Sequence, residues 1–322
     1  MNNKTKLIVS HAPFWHDGDS ICKMNLHIML AAVPAVIFGI VQFGMPALGV
    51  ILLAVSCSMF FELIMNFATK RSLSIGDFDA ALLGLLFGMM LPATTPWWVV
   101  VTGTLVIIVL GKQIYGGLGA NPFNPVIVGI AILIISWPGY FDVDLALLNY
   151  DFNFKALAPL AALKHQGVSA VDLFTIKGLF LGQQVGAIGS TFGLGLVLGG
   201  IFLIIKGYIR WEITISYIAG VIVTALIFKM SNSQNFAGPM FHLFSGYTLI
   251  GAIFLANENS SSPVNFIPML IYGFLGGFLV ILIRNIGAYP DGTVFAILLI
   301  NLVNPLIDRI RPKALGRGVT NA

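Results

Sequence analysis

Residues 78–111 read FDAALLGLLFGMMLPATTPWWVVVTGTLVIIVLG, and the polar stretch Pro92-Ala93-Thr94-Thr95-Pro96 splits this otherwise apolar run in two. Proline lacks an N–H and does least harm at a helix end, so the stretch predicts two helical spans, near 78–93 and 97–111. Asp77 and Asp79 sit where the first begins, and an acid near a helix N-terminus is favourable there. Crossing a hydrocarbon core of about 30 Å takes roughly 17 to 25 helical residues. Further apolar runs lie near 26–43, 47–65, 125–139, 190–206, 213–229, 242–257, 266–284 and 292–308. The sequence thus predicts an all-α integral membrane protein of about ten transmembrane helices.

Composition excludes the alternatives. Hydrophobic residues make up 57% and charged residues 9%, with a mean hydropathy of +0.93, whereas soluble domains carry about 25% charge. The formal net charge of +4 comes from basic residues beside apolar runs, and no basic-aromatic patch suggests nucleic acid. Cys22 and Cys57 lie far apart with no CxxC or Cys/His cluster, so neither an iron–sulfur cluster nor a structural zinc site is expected. The first 25 residues are polar and lack a cleavable apolar core, so the first run is expected to be a true span. No nucleophile–base pair and no phosphate-cradling loop is found, which disfavours a hydrolase or an ATP-driven pump. No catalytic residue and no metal ligand is assigned.

Lys and Arg set the orientation. With the N-terminus inside, twelve basic residues fall on inner segments (Lys4, Lys6, Lys23, Lys70, Arg71, Lys112, Lys206, Arg210, Arg309, Arg311, Lys313 and Arg317). Five fall outside (Lys155, Lys164, Lys177, Lys229 and Arg284), accounting for all 17. Both termini are then cytoplasmic. The expected organisation is a cytoplasmic segment 1–25, five helices in 26–139, an external segment 140–189, five helices in 190–308 and a cytoplasmic tail 309–322.

The halves echo each other with an offset of roughly 165 residues. Each third span meets a polar break, Pro92–Pro96 and then Ala256-Asn257-Glu258-Asn259-Ser260. Each fifth span follows a Gly-containing approach, Gly119-Ala120-Asn121-Pro122 and then Gly287-Ala288-Tyr289-Pro290. An odd number of spans per half inverts the second copy, giving two inverted five-helix repeats with broken helices. Such repeats point to binding at their interface. Glu62, His27 and His242 read as interfacial groups rather than sites.

The richest polar segment runs from Gly111 to Pro125, GKQIYGGLGANPFNP. Gly116, Gly117 and Gly119 admit close approach of a ligand, Asn121 and Asn124 offer donors and acceptors, and Tyr115 and Phe123 supply flat faces. The mixture suits a planar, hydrogen-bonding heterocycle, although a tight re-entrant turn needs the same glycines.

Lys112 to Pro125, KQIYGGLGANPFNP, resembles a motif of the D subunit of the Rnf electron-transport complex, and is similar to the B subunit of the sodium-translocating NADH:quinone reductase, Nqr. Tyr289 to Arg311, YPDGTVFAILLINLVNPLIDRIR, resembles the Rnf D C-terminus. Phe180-Leu181-Gly182 through Gly186, Gly189 and Gly199-Gly200 follows the same family's glycine pattern. The resemblance implies a membrane flavoprotein subunit of an electron-transport translocase, moving sodium ions or protons with the A, B, C, E and G subunits as partners. It implies a riboflavin within the membrane, placed here at Gly116, Gly117, Gly119, Asn121 and Asn124. It also implies an FMN esterified to a Thr of the outer segment. That Thr position is Ala158, in Lys155-Ala156-Leu157-Ala158-Pro159-Leu160-Ala161-Ala162-Leu163-Lys164. A covalent FMN is therefore not expected. A non-covalent FMN would use Lys155 and Lys164. The family's Ala-Thr-Asp-Pro is here Ala256-Asn257-Glu258-Asn259. Two other readings stay open: a small-solute transporter or channel on the same repeat, and a structural subunit without flavins.

Overall fold

The computed structural model describes residues 18–142, Tyr150, Phe154 and 157–310. All regular elements among the described residues are helical. Ser20 opens α1 (Ile21–Phe43) by accepting the Lys23 N–H on its hydroxyl at 3.2 Å, satisfying one of the unpaired donors of a helix start. Gly44, at φ +73°, turns the chain directly into α2 (Met45–Ala68), which takes Pro46 in its first turn without losing a hydrogen bond. Next come α3 (Asp79–Met89), α4 (Trp97–Leu105), which continues as a π-helical stretch over Val106–Gln113, and α5 (Pro125–Ser136). Two short helices follow, α6 (Pro159–Gln166) and α7 (Ile176–Phe180). A second series holds α8 (Gly193–Lys206), α9 (Trp211–Ser231), α10 (Pro239–Phe244), α11 (Thr248–Ile250) with a π stretch Gly251–Leu255, α12 (Phe266–Ile286) and α13 (Thr293–Ile307).

Among the described residues, four helices, α1, α2, α9 and α12, are long and apolar enough to cross a membrane, and several shorter apolar helices accompany them. Their outward faces carry large apolar side chains, with Val41 79% and Met230 86% exposed, as suits lipid rather than water as the surrounding solvent. The chain is a multi-pass membrane protein. Between α9 and α12 the backbones meet at Gly220, Gly273 and Gly277, where a Cβ would collide with Phe274, Ser216 and Tyr217 of the facing helix. Small residues let helices approach this closely in a membrane.

The half-length helices lie in the middle. With a rise of 1.5 Å per residue, the 11 residues of α3 cover only about 16 Å. Ala80–Met89 is buried on every side, as is Thr248–Ala256 around α11, the signature of helices packed wholly in protein. Breaking a helix here frees backbone groups that must be paired again. At the end of α3, Met89 and Leu91 carbonyls accept the Gly189 and Ile188 N–H groups, at 2.8 and 3.0 Å. After α11 the Asn257 amide donates to the Ala252 and Ile253 carbonyls and its oxygen accepts the Arg210 N–H. The Glu258 carboxylate accepts the N–H groups of Ser260 and Ser261. Asn257 and Glu258 thus build a capping network at this break.

One expected run is not a single helix. The run 242–257 is not continuous, because Ser245–Tyr247 separates α10 from α11. Gly246 adopts φ +64°, and Asp291 draws the Tyr247 N–H out of any helix at 2.6 Å.

Candidate functional site

Two cavities flank the starts of the two half-helices. The first, of about 280 Å³, lies against the first turns of α3. Its floor is an ionic cluster. Lys112, 1% exposed, sits in the π stretch after α4 and donates to both Glu62 oxygens at 2.7 and 2.8 Å and pairs with Asp79 at 2.7 Å. Ser74 donates to Glu62, and Asn66 donates to Ser74. Glu62 is therefore not an interfacial group: it is fully buried, held on Lys112 and on the turn that carries Ser74. π-bulges of this kind recur at functional sites, and here the bulge carries the lysine. In the turn before α3, burial pushes the Asp77 carboxyl above its ordinary 3.8, partly countered by the Asp79 N–H and by Lys112.

Gly119, Asn121 and Asn124 line this cavity together. Gly116 and Gly117 do not: the Gly116 carbonyl accepts from Arg71 at 2.7 Å, and Gly117 lies beside the same guanidinium. At Gly119, φ is +82° and a Cβ would meet nothing within 4 Å. Asn124 is fully engaged, its oxygen capping α5 through the Val126 and Ile127 N–H groups and its nitrogen donating to the Leu255 carbonyl at 2.9 Å. It ties the loop before α5 to the break after α11. Asn121 donates to the Phe123 carbonyl. One contributor was absent from the sequence reading, Asn25 of α1, which donates to the Asp77 carbonyl, while Asn257–Ser260, read there as one of the two paired helix breaks, lines the cavity as well. A lysine within an apolar run, with carboxylates in neighbouring runs, was the available signal for the cluster.

The second cavity, of about 460 Å³, lies at the start of α11. Ala158 lines it, facing an aromatic wall of Tyr247, Tyr289 and Phe295, the last two with ring centroids 4.4 Å apart. Beside it Arg284 clamps the start of α11, donating to the carbonyls of His242 and Ser245, to Thr248 and to Asp291. His242, read as interfacial, is fully buried in this knot. Burial acts to raise the Asp291 pKa, but Arg284, the Tyr247 and Thr293 N–H groups and the Thr293 hydroxyl outweigh it and hold it below 3.8. Lys164 does not line this cavity: its ammonium donates to the Arg284 carbonyl at 3.0 Å and to the Gly287 carbonyl. Lys155 lies outside the described residues.

The two cavities correspond by position in the two series. Each is bordered by the start of a half-helix, α3 or α11, and by the loop before the last helix of its series, α5 or α13. Comparison with known proteins then decides the family. A family model described as "NQR2, RnfD, RnfE family" matches residues 8–316.

The chain belongs to the NQR2, RnfD, RnfE family.

Among curated members, it is 34% identical to the D subunit of the ion-translocating oxidoreductase complex of Yersinia pseudotuberculosis, covering 96% of this chain and 98% of that one. It is 35% identical to the D subunit of the proton-translocating ferredoxin:NAD(+) oxidoreductase complex of Clostridium ljungdahlii, covering 95% of each. The Na(+)-translocating counterpart of Acetobacterium woodii is 33% identical, with 99% and 97% covered. The NQR2, RnfD, RnfE match takes in both cavities and both half-helices.

Proposed function

We propose that this chain is the D subunit of an Rnf-type complex that couples electron transfer to the movement of sodium ions or protons, and that its own part is to hold flavins within the membrane. The names and near-complete coverage of the relatives support the first half of that reading. The observation that carries the second is the cavity at α3. Leu82, Leu83, Leu86 and Phe254 give it apolar walls, while Asn25 and Asn121 put amides at its edge. Ligand pockets combine apolar walls with a few placed polar groups, and that character supports a compact planar ring system such as the isoalloxazine of riboflavin. Such a ring supplies the one- and two-electron chemistry that side chains lack. Asn121 would orient its polar edge, and Asn124 would hold the cavity wall.

The cavity at α11 would take the second flavin, an FMN held without a covalent bond, since Ala158 offers no oxygen to esterify. Thr248 does not replace it. Its hydroxyl is buried, donates to His242 and Ser245 carbonyls and accepts from Arg284. The chain would work beside the A, B, C, E and G subunits in a bacterial cytoplasmic membrane. Ten helices would cross as two inverted repeats, placing the α3 cavity on the cytoplasmic side, the α11 cavity outside and both termini inside. The excess of basic residues on the inner segments supports that orientation, and an epitope at 142–175 reached from the cytoplasmic side would refute it.

The flavin reading is tested by the absorption spectrum of the purified chain. Bands near about 450 nm are expected, lost on denaturation. A denaturing gel should show no fluorescent band under ultraviolet light. A colourless preparation would sink the flavin reading and favour a small-solute transporter or channel, or a structural subunit without flavins.

A further inference from the structure

A third cavity, of about 300 Å³, adjoins the α11 cavity and shares Leu160 and Pro290 with it. Its chemistry is of another kind. Its described lining carries two cations, Lys164 and Arg284, three amides, Gln234, Asn235 and Asn285, and no carboxylate. Two donors of its lining residues, the Arg284 Nε–H and the Asn285 side-chain nitrogen, are buried behind the cavity surface without a hydrogen-bond partner, and Arg284 is 4% exposed. Leaving a buried donor unpaired costs about 1–3 kcal/mol, and such groups in folded proteins call for a reason.

We propose that this cavity is an oxyanion site that holds a phosphate group through charge-assisted hydrogen bonds. Lys164 is suited to the task twice over. Two of its N–H groups quench the Arg284 and Gly287 carbonyls at the end of α12, whose negative pole would otherwise repel an anion. An ammonium has three donors, so one remains for the ligand. Asp291 neutralises Arg284 from its NH2 edge and lines the neighbouring cavity, which leaves Lys164 as the net positive charge. Phosphate, with several acceptor oxygens and full charge, is the partner that amide, ammonium and guanidinium donors bind best.

Two sources of that phosphate are distinguishable: inorganic phosphate, or the phosphate of an FMN whose ring occupies the adjoining aromatic cavity. The second rests on the flavin reading above, and the first does not. The experiment titrates the whole purified chain with riboflavin, FMN and inorganic phosphate, reading flavin fluorescence and melting temperature. FMN is expected to bind about tenfold more tightly than riboflavin, an advantage of about 1.4 kcal/mol that shrinks with salt, and inorganic phosphate should compete with FMN alone. Asn285→Asp places a carboxylate on the wall and should abolish the FMN advantage while riboflavin binding is kept. Gln234→Glu, at an exposed position where folding is not at stake, should weaken FMN in the same direction. Equal binding of the two flavins, with no effect of phosphate on competition or melting, would overturn the oxyanion site and leave the flavin reading standing. Phosphate that raises the melting temperature in an Asn285-dependent way, while neither flavin binds, would support the site and overturn the flavin reading.

Discussion

At the start of α3, one ammonium serves two carboxylates; at the start of α11, one guanidinium serves a single carboxylate and four neutral oxygens. Lys112 is surrounded by Glu62 and Asp79. Arg284 meets Asp291 together with the His242 and Ser245 carbonyls and the Thr248 and Thr293 hydroxyls. Position for position the two clusters do the same work, holding the N-terminus of a half-helix that stops within the protein. Their electrostatics differ. The lysine cluster carries one uncompensated negative charge, and the arginine cluster balances. A compact ammonium is placed by charge, whereas the planar fork of arginine is placed by several oriented acceptors. The α3 end is thus held by attraction between ions, and the α11 end by geometry.

The largest effect expected from this contrast comes from removing the cation. Lys112→Met leaves the buried Glu62 carboxylate and the partly buried Asp79 carboxylate without their cation, and breaking a buried pair costs about 3–5 kcal/mol. Arg284→Met leaves one carboxylate, with the Tyr247 and Thr293 N–H groups still on it. Melting of the detergent-solubilised chain should therefore fall further for Lys112→Met. An equal fall, or a larger one for Arg284→Met, would break the comparison.

Removing one acid inverts the ranking. Glu62→Gln keeps Lys112 paired with Asp79, so the loss should be about 1–2 kcal/mol, on the scale of hydrogen bonds to a charged group. Asp291→Asn strips Arg284 of its only counter-ion among the described residues and should cost more, at about 3 kcal/mol. Thermal melting of the two variants side by side decides it: Glu62→Gln as the more damaging change would mean that the lysine cluster is not over-supplied with acid.

A smaller effect separates the two asparagines of the α3 cavity. Asn124→Leu deletes a helix cap, worth about 1 kcal/mol, and should lower stability as well as flavin content. Asn121→Leu, whose nitrogen makes one local bond, should lower flavin content with little change in melting. Flavin retained in full by Asn121→Leu would place the ring elsewhere.

The breaks at Pro92–Pro96 and Ala256–Ser260 were legible in the sequence because proline and clustered polar residues interrupt an apolar run, and both end a half-helix. The break at Ser245–Tyr247 was not, since it depends on one glycine with positive φ and on a carboxylate 44 residues away. Glu62 and His242 failed as readings for a related reason. Glu62 is buried by pairing with Lys112, 50 residues away, and His242 is enclosed where Arg284, 42 residues away, binds its backbone carbonyl, and hydropathy cannot see contacts so distant in the chain. Of the glycine-rich segment, Gly119, Asn121 and Asn124 share one cavity, whereas Gly116 and Gly117 shape the turn that Arg71 holds.

The smallest expected effect is the sign of the response to acid, which should differ between the two ends. Burial raises the Asp77 pKa in the folded chain above its unfolded 3.8, so the charged carboxylate opposes folding. As pH falls from neutral through that raised value, protonation relieves the penalty, and the gain is complete below 3.8. Asp291 behaves oppositely. Its folded pKa lies below 3.8, so its contribution to stability is fully present above 3.8 and is lost as pH falls through the folded value. Between neutral pH and 3.8 the α3 end should therefore firm slightly while the α11 end stays constant; below 3.8 the α11 end should loosen. Hydrogen exchange resolved by segment, over 75–89 and 246–255, reads the two ends separately. Asp77→Asn should flatten the first response, and Asp291→Asn the second. A common sign at both ends would mean that Arg284 does not hold Asp291 as the geometry indicates, and the contrast between the two clusters would lose its electrostatic basis.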